Sequence, residues 1–348
     1  MEAMKPPKST YTTGDPQVDE RLREMVSELP PTDAQLVFEM MASALALAKV
    51  PISRLDRKIA NTALKEMRYA FGVFAPYRNV RKATIFGSSR TAKGRPEYAL
   101  ARDFSRTIAD RGWMIVTGAG PGIMEAGHEG AGGSRSFGVN ILLPFEATAN
   151  PFIAGDPKLI NFKYFFTRKL MFIKESDAFV LMPGGFGTLD EAFELLTLIQ
   201  TGKSDLHPIV MLDVPGGTYW KSFDRYLREE LLAYGYISDS DLNLFTYTDD
   251  INEAVEEIER FYRVYHSQRY VNDRLILRLN VAPTEQQLAA LSDEFSDILD
   301  GPIVPVQASS GEIRDDDVVD LPRIALNFDR IHAGRLRSLV DRLNESVV

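Results

Sequence analysis

Between Ala83 and Leu212 the chain repeats one device: a short run that is apolar throughout, a stretch of helical period, then another apolar run. The runs are Ala83-Thr-Ile-Phe-Gly87, Trp113-Met-Ile-Val-Thr117, Phe137-Gly-Val-Asn-Ile-Leu-Leu143, Ala178-Phe-Val-Leu-Met182 and Pro208-Ile-Val-Met-Leu212. A strand that is apolar on both faces must be covered on both faces, which is the condition of a parallel sheet between helical layers. Helices are expected at 97–110, from Ile123, around 167–175, at 189–200 and at 220–234. The fold class is therefore α/β, a doubly wound Rossmann-like parallel sheet. Its ligand should lie where the loops gather at the carboxyl ends of the strands.

The flanks read differently. Residues 1–80 form a helical extension, with Asp15 or Asp19 as a helix start and a break at Pro30-Pro31. Leu36, Val37, Met40, Met41, Ala44 and Leu45 recur at helical spacing there, a stripe that suits a core or a subunit interface. Residues 81–266 are expected to form the Rossmann-like domain, closing on an acidic helix expected over 251–265. Residues 267–348 are a small α+β appendage with strands at 274–279 and 321–327 and helices at 285–299 and 332–343. A polar, acidic linker is expected over 307–320, and the appendage suits a regulatory or oligomerising role.

Composition narrows the chemistry. With no cysteine, the 348-residue chain has no disulfide, thiolate metal site or cysteine nucleophile. The four histidines are scattered and form no metal-binding pair, so no metal is expected. A net charge of −9 argues against a nucleic-acid partner. No run has the length of a membrane span and the start lacks a signal-peptide core, so no membrane partner and a cytoplasmic location are expected.

Three expected strands end in turns rich in glycine or hydroxyls: Phe86-Gly-Ser-Ser-Arg-Thr91, Thr117-Gly-Ala-Gly-Pro-Gly122 and Pro183-Gly-Gly-Phe-Gly-Thr188. Glycine lets the backbone approach an anion, and the following helix offers free N–H groups. Tight strand-to-helix turns require glycine in any case, so one such turn is as well explained by geometry as by function. Three together favour a phosphate ligand. The second turn reads G-x-G-x-G, not the dinucleotide fingerprint, and no Walker loop occurs. Ser88, Ser89, Gly120, Gly122, Gly184, Gly185, Gly187 and Thr188 are the candidate contacts. In the third turn Glu191 stands one helical turn beyond Thr188, and Arg168-Lys169 stand on the preceding helix. Glu191 could merely favour the helix dipole, and Arg168 could be a surface charge. Their shared setting favours a site.

The run Arg168-Lys169 … Pro183-Gly-Gly-Phe-Gly-Thr-Leu-Asp-Glu191 resembles the signature of the LONELY GUY family, P-G-G-x-G-T-x-x-E preceded by R-K. The resemblance covers about residues 81–244. Family members hydrolyse cytokinin riboside 5′-monophosphates, or AMP, to a free base and ribose 5-phosphate, and many were once labelled lysine decarboxylases. The resemblance implies that Arg168 and Glu191 are catalytic and that Gly185, Gly187 and Thr188 hold phosphate. It further implies that Lys169 and Thr197 touch substrate, with Glu146 and Asn150 as base or ribose contacts, and that the chain forms a homodimer or larger homo-oligomer. The second turn departs from the family's G-G-G-x-x-G-L-M-G, and the terminal extensions exceed those of most members, which leaves the base open. No cofactor is implied. Lys169 and Lys174 could form a Schiff base with pyridoxal phosphate, but nothing accompanies them to hold the pyridine ring. The competing reading is a non-catalytic nucleotide sensor, against which the arginine and carboxylate stand.

Overall fold

The computed structural model describes residues 11–143, 149–315 and 317–346, and the chain divides into two compact units after Lys65. The first unit is helical, with α1 (Pro16–Met25), α2 (Pro31–Lys49) and the start of α3 (Arg54–Phe74). Asp15 caps α1 by accepting from Gln17 N and Val18 N, and Pro at the first position of α1 and α2 suits a site with no N–H to lose. Leu22, Val26, Phe38 and Ala42 form this unit's small core.

The second unit contains the last turns of α3, then β1 (Lys82–Phe86), α4 (Pro96–Asp110), β2 (Met114–Thr117), α5 (Ile123–Ala131), β3 (Ser136–Ile141) and β4 (Leu159–Phe162). It continues through α6 (Phe165–Lys174), β5 (Ala178–Leu181), α7 (Phe186–Gln200), β6 (Ile209–Leu212), α8 (Tyr219–Tyr226), β7 (Thr246–Thr248) and α9 (Ile251–Phe261). Among the described residues these seven strands form one sheet in the order β4-β3-β2-β1-β5-β6-β7. Every neighbouring pair in it is parallel. The α/β reading thus stands, and the five apolar runs are strands β1, β2, β3, β5 and β6.

Alternation along the strands splits the core into two layers. Ala83, Ile85, Ile115, Val180 and Val210 pack beneath Phe104 of α4, Ala126 of α5 and Ile258 of α9. Phe86, Val116, Phe137, Phe179, Leu181 and Met211 pack beneath Phe172 of α6, Leu195 of α7 and Phe223 of α8. The helices carrying Arg168 and Glu191 therefore share one face of the sheet. The chain winds outward in both directions from the β1–β5 pair, which makes that pair the switch point at which an α/β sheet opens a crevice.

The C-terminal region contributes β8 (Tyr265–Val271), β9 (Arg274–Leu279), α10 (Glu285–Glu294), β10 (Val304–Val306), α11 (Ser310–Arg314), β11 (Arg323–Leu326) and α12 (Ala333–Ser346). Its strands form an antiparallel sheet in the order β10-β11-β9-β8. The expected polar linker over 307–320 instead holds α11 and a buried ion network. Glu312, 1% exposed, accepts from Arg278 and Arg323, both buried, and from Ser309 N and Oγ. Burial pushes its carboxyl up, but the bonds from Ser309 and the two guanidiniums outweigh this and hold it at about 2. Its contribution is thus present above the unfolded carboxyl pKa of about 4.3 and lost as pH falls toward 2. Glu312→Ala leaves two buried cations without their shared partner. It should cost about 3 kcal/mol or more, read as a lower denaturant midpoint; an unchanged midpoint would refute the network's role.

Candidate functional site

At the switch point the three turns lock together. Ser88 N–H at the end of β1 donates to Pro183 C=O at the end of β5, 3.3 Å away, and Ile123 N–H donates to Ser88 C=O at 3.1 Å. These contacts explain two of the glycines as packing devices. Gly122 has φ +68°, and a Cβ there would collide with the backbone of Ser88 and Ser89. A Cβ on Gly184 would collide with the Thr188 side chain and press on Ser88 N. Gly185 and Gly187 differ: a side chain there would enter open space, and Phe186 between them is 94% exposed. Both are exposed at the head of the helix that follows the turn. Gly120, in the second turn, faces the Met124 methyl.

The third turn runs straight into α7. Thr188 N–H and Leu189 N–H both close onto Gly185 C=O at 3.1 Å, leaving the amides of Gly185, Phe186 and Gly187 at the helix head. Such a head accepts an anion. Helix α7 starts at Phe186, earlier than the 189 read from sequence, so Thr188 and Glu191 both fall on its buried face. The distinction between packing and open glycines has a measurable consequence. Gly184→Ala should lower the melting temperature by several degrees, equivalent to about 1–3 kcal/mol of overpacking, whereas Gly185→Ala should melt with the wild type. Equal melting of all three chains would contradict it.

Glu191 is 8% exposed. Burial pushes its carboxyl up to about 7, with Lys169 and Arg168 pulling the other way. Lys169 Nζ stands 3.9 Å from it but is held more tightly by Asp190 at 2.8 Å and Glu194 at 2.5 Å. Lys169 thus belongs to a carboxylate cluster on α7. Arg168 is anchored from the opposite side: its Nε donates to Val139 C=O of β3 at 2.9 Å, and its guanidinium lies 5.0 Å from the Phe172 ring centre. Its Nη2 abuts Gly118, so a side chain there would strike it. Arginine, carboxylate, second turn and third turn meet in one place.

The remaining candidates separate. Ser88 is half-buried and its Oγ accepts from Arg90 N within the turn; Ser89 is exposed. Thr197 is exposed and lies off the buried face of α7 that carries Thr188 and Glu191. Glu146 lies outside the described residues. Asn150 is buried and braces the second turn: its Nδ2 lies 3.1 Å from Ala119 C=O, 3.0 Å from Gly120 C=O and 3.1 Å from His128 Nδ1. Ala119, in the left-handed region at φ +62°, is the residue so held. Burial pulls His128 down, which keeps its ring neutral. Sequence reasoning also missed Glu66 within α3, which accepts from Lys163 N and Thr167 Oγ1, both at 2.6 Å, and so fixes the start of α6. It missed Tyr219 as well, whose hydroxyl donates to Gly184 C=O at 2.7 Å. No local pattern marks either; each needs the tertiary fold. Among the described residues no group of His, Asp and Glu could hold a metal ion, and no helix is long and apolar enough to cross a membrane.

Fold and site geometry define a Rossmann-like α/β protein with an exposed, glycine-rich helix head beside a half-buried arginine and a buried carboxylate. Residues 122–258 match the family described as "Possible lysine decarboxylase". A cytokinin riboside 5′-monophosphate phosphoribohydrolase of Mycobacterium tuberculosis is 32% identical over 162 residues, spanning 45% of this chain and 82% of that protein. A probable enzyme of the same name from Oryza sativa subsp. japonica is 29% identical over 191 residues, 51% of this chain and 76% of that protein. Among solved structures, a molybdenum cofactor carrier protein from Chlamydomonas reinhardtii is 18% identical over 52% of this chain and 97% of that one. Its TM-score of 0.36 is too low to bear on function. The chain belongs to the LONELY GUY family, whose curated members carry the name of phosphoribohydrolases.

Proposed function

We propose that this chain hydrolyses the N-glycosidic bond of a nucleoside 5′-monophosphate, of the AMP or cytokinin riboside type, releasing the free base and ribose 5-phosphate. The observation that carries the reading is Glu191. It is a buried carboxylate on the first turns of the helix whose head accepts an anion, with Arg168 and Lys169 as its charged neighbours. The 5′-phosphate sits on the amides of Gly185, Phe186 and Gly187, with the Thr188 hydroxyl beside them. The ribose then lies along α7 toward Glu191.

As the base departs, positive charge builds on the ribose ring, and a carboxylate is the group that stabilises it or draws a proton from the attacking water. Arg168 orients the ribose or phosphate and favours charge on the leaving base. Phosphate binding is remote from the bond that breaks, so its energy can hold the sugar in a reactive pose. The name of the Mycobacterium tuberculosis relative supports the reaction class. Self-association belongs to the same proposal, supported by the exposed Phe165, Phe166, Leu170 and Phe186 on α6 and the head of α7.

The test is to incubate the purified chain with nucleoside 5′-monophosphates of adenine, guanine, cytosine, uracil and an N6-isopentenyl adenine. Free base should appear with equimolar ribose 5-phosphate for at least one of them. Nucleotide binding without release from any would favour a sensor.

A further inference from the structure

The third turn is held from outside by a residue that neither touches the crevice carboxylate nor belongs to the turn. We infer that Tyr219 is a positioning residue for phosphate binding: its hydroxyl sets the direction of the Gly184–Gly185 peptide and so aims the Gly185 N–H into the crevice. The inference rests on the reading of the turn as the phosphate grip.

The geometry begins at the peptide itself. A trans peptide is planar, with its C=O and N–H pointing in opposite directions, and none of the described peptide bonds is cis. Tyr219 O–H donates to Gly184 C=O at 2.7 Å. Fixing that carbonyl toward α8 obliges the N–H of Gly185, in the same plane, to point the other way. Gly184 and Gly185 are also the pair least able to fix this plane alone, since glycine carries no side chain and rotates with the least hindrance. On the Gly184 side the backbone is closed in by Thr188 and Ser88, while on the Gly185 side it is open. One external hydrogen bond therefore selects the orientation that the crevice needs.

The segment leading to Tyr219 is built to deliver that hydroxyl. Asp213, buried at the end of β6, accepts from Val214 N at 2.8 Å and from Tyr219 N at 3.0 Å, which ties the start of α8 to the strand end. Gly217 lies so close to the Asp213 carboxylate that a Cβ there would collide with it. The Tyr219 ring packs edge-on against buried Trp220 at 4.8 Å, and Trp220 Nε1 donates to Leu212 C=O at 3.3 Å. Half burial pushes the phenol above its ordinary value, so it remains a donor throughout the neutral range. A carbonyl can only accept, so the direction of the bond is fixed.

Tyr219→Phe removes the hydroxyl and keeps the ring. Ribose 5-phosphate affinity, measured by calorimetry, should fall about tenfold, the value of one well-made hydrogen bond. KM for the nucleoside 5′-monophosphate should rise by a similar factor while kcat stays within about twofold, because the carboxylate and arginine are untouched. Melting temperatures of the two chains should agree closely. A merely structural tyrosine would lower melting temperature and kcat together and leave no phosphate-specific signature. Undiminished affinity for ribose 5-phosphate in the variant, or no affinity in the wild type, would overturn the inference. Intact ribose 5-phosphate binding without base release by the wild type would instead count against the hydrolase reading and leave the role of Tyr219 standing.

Discussion

Glu191→Gln should reduce base release by roughly 10³-fold or more while leaving ribose 5-phosphate binding within a few-fold of wild type. The substitution keeps volume and one carbonyl oxygen but removes the negative charge that faces the developing cation. The fold should not suffer. The native carboxylate is buried, and burial alone drives its carboxyl toward the protonated state, so a neutral amide in its place relieves a cost. The melting temperature should hold or rise. The same burial fixes the sign of the pH dependence. With the carboxyl pushed up to about 7 and the ionised form doing the work, kcat/KM of the wild type should fall as pH drops through about 7. An activity that stays flat between pH 8 and pH 5, or a glutamine variant that retains turnover, would remove Glu191 from the mechanism.

Arg168→Ala should lower kcat/KM by roughly 10²-fold, the scale of losing one preorganised charge at a reacting centre. The guanidinium is fixed by its bond to Val139 C=O and by the Phe172 ring, and it closes the space above Gly118. It therefore needs no reorganisation when charge moves. Removing it also deletes packing against the second turn, so a modest loss of stability should accompany the kinetic one. Arg168→Lys separates the two effects. An ammonium carries the charge but not the planar fork, so this variant should recover stability more fully than activity. Full activity in the lysine variant would reduce Arg168 to a simple positive charge, and wild-type activity in the alanine variant would exclude it.

How much of this was legible beforehand follows from which residues are buried on both sides. The inner strands read clearly because β1, β2, β5 and β6 are buried at every position. The edge strands did not. In β4, Leu159-Ile-Asn-Phe162 alternates between buried and accessible residues, and β7 is three half-buried residues. Tyr265 was read as the end of a helix, yet α9 stops at Phe261 and Tyr265 opens β8, with no glycine or proline to mark the change. In the polar segment around Glu312, acidic composition suggested a solvated linker, and only the fold brings Arg278 and Arg323 to it.

The site shows the same division. Glycines, arginine and glutamate stand in the sequence as a local pattern, and the doubly wound rule sends the first and third turns to one crevice. Which glycines serve packing is decided largely by the Ser88 backbone, distant in sequence: it closes on Gly122, and with the nearby Thr188 side chain it closes on Gly184. Lys169 was read as a substrate contact. Its ion pairs with Asp190 and Glu194 arise because residues four apart on α7 share a face that α6 happens to meet.

The most direct measurement compares AMP with adenosine under identical conditions, following adenine and the phosphorylated or free sugar. A phosphate held at the Gly185 to Thr188 turn, with hydrolysis at the bond beside Glu191, predicts adenine and ribose 5-phosphate in equal amounts from AMP. It also predicts a kcat/KM for adenosine lower by about 10²-fold or more. Equal turnover of the two substrates, or no free base from AMP or from any other nucleoside 5′-monophosphate, would contradict it.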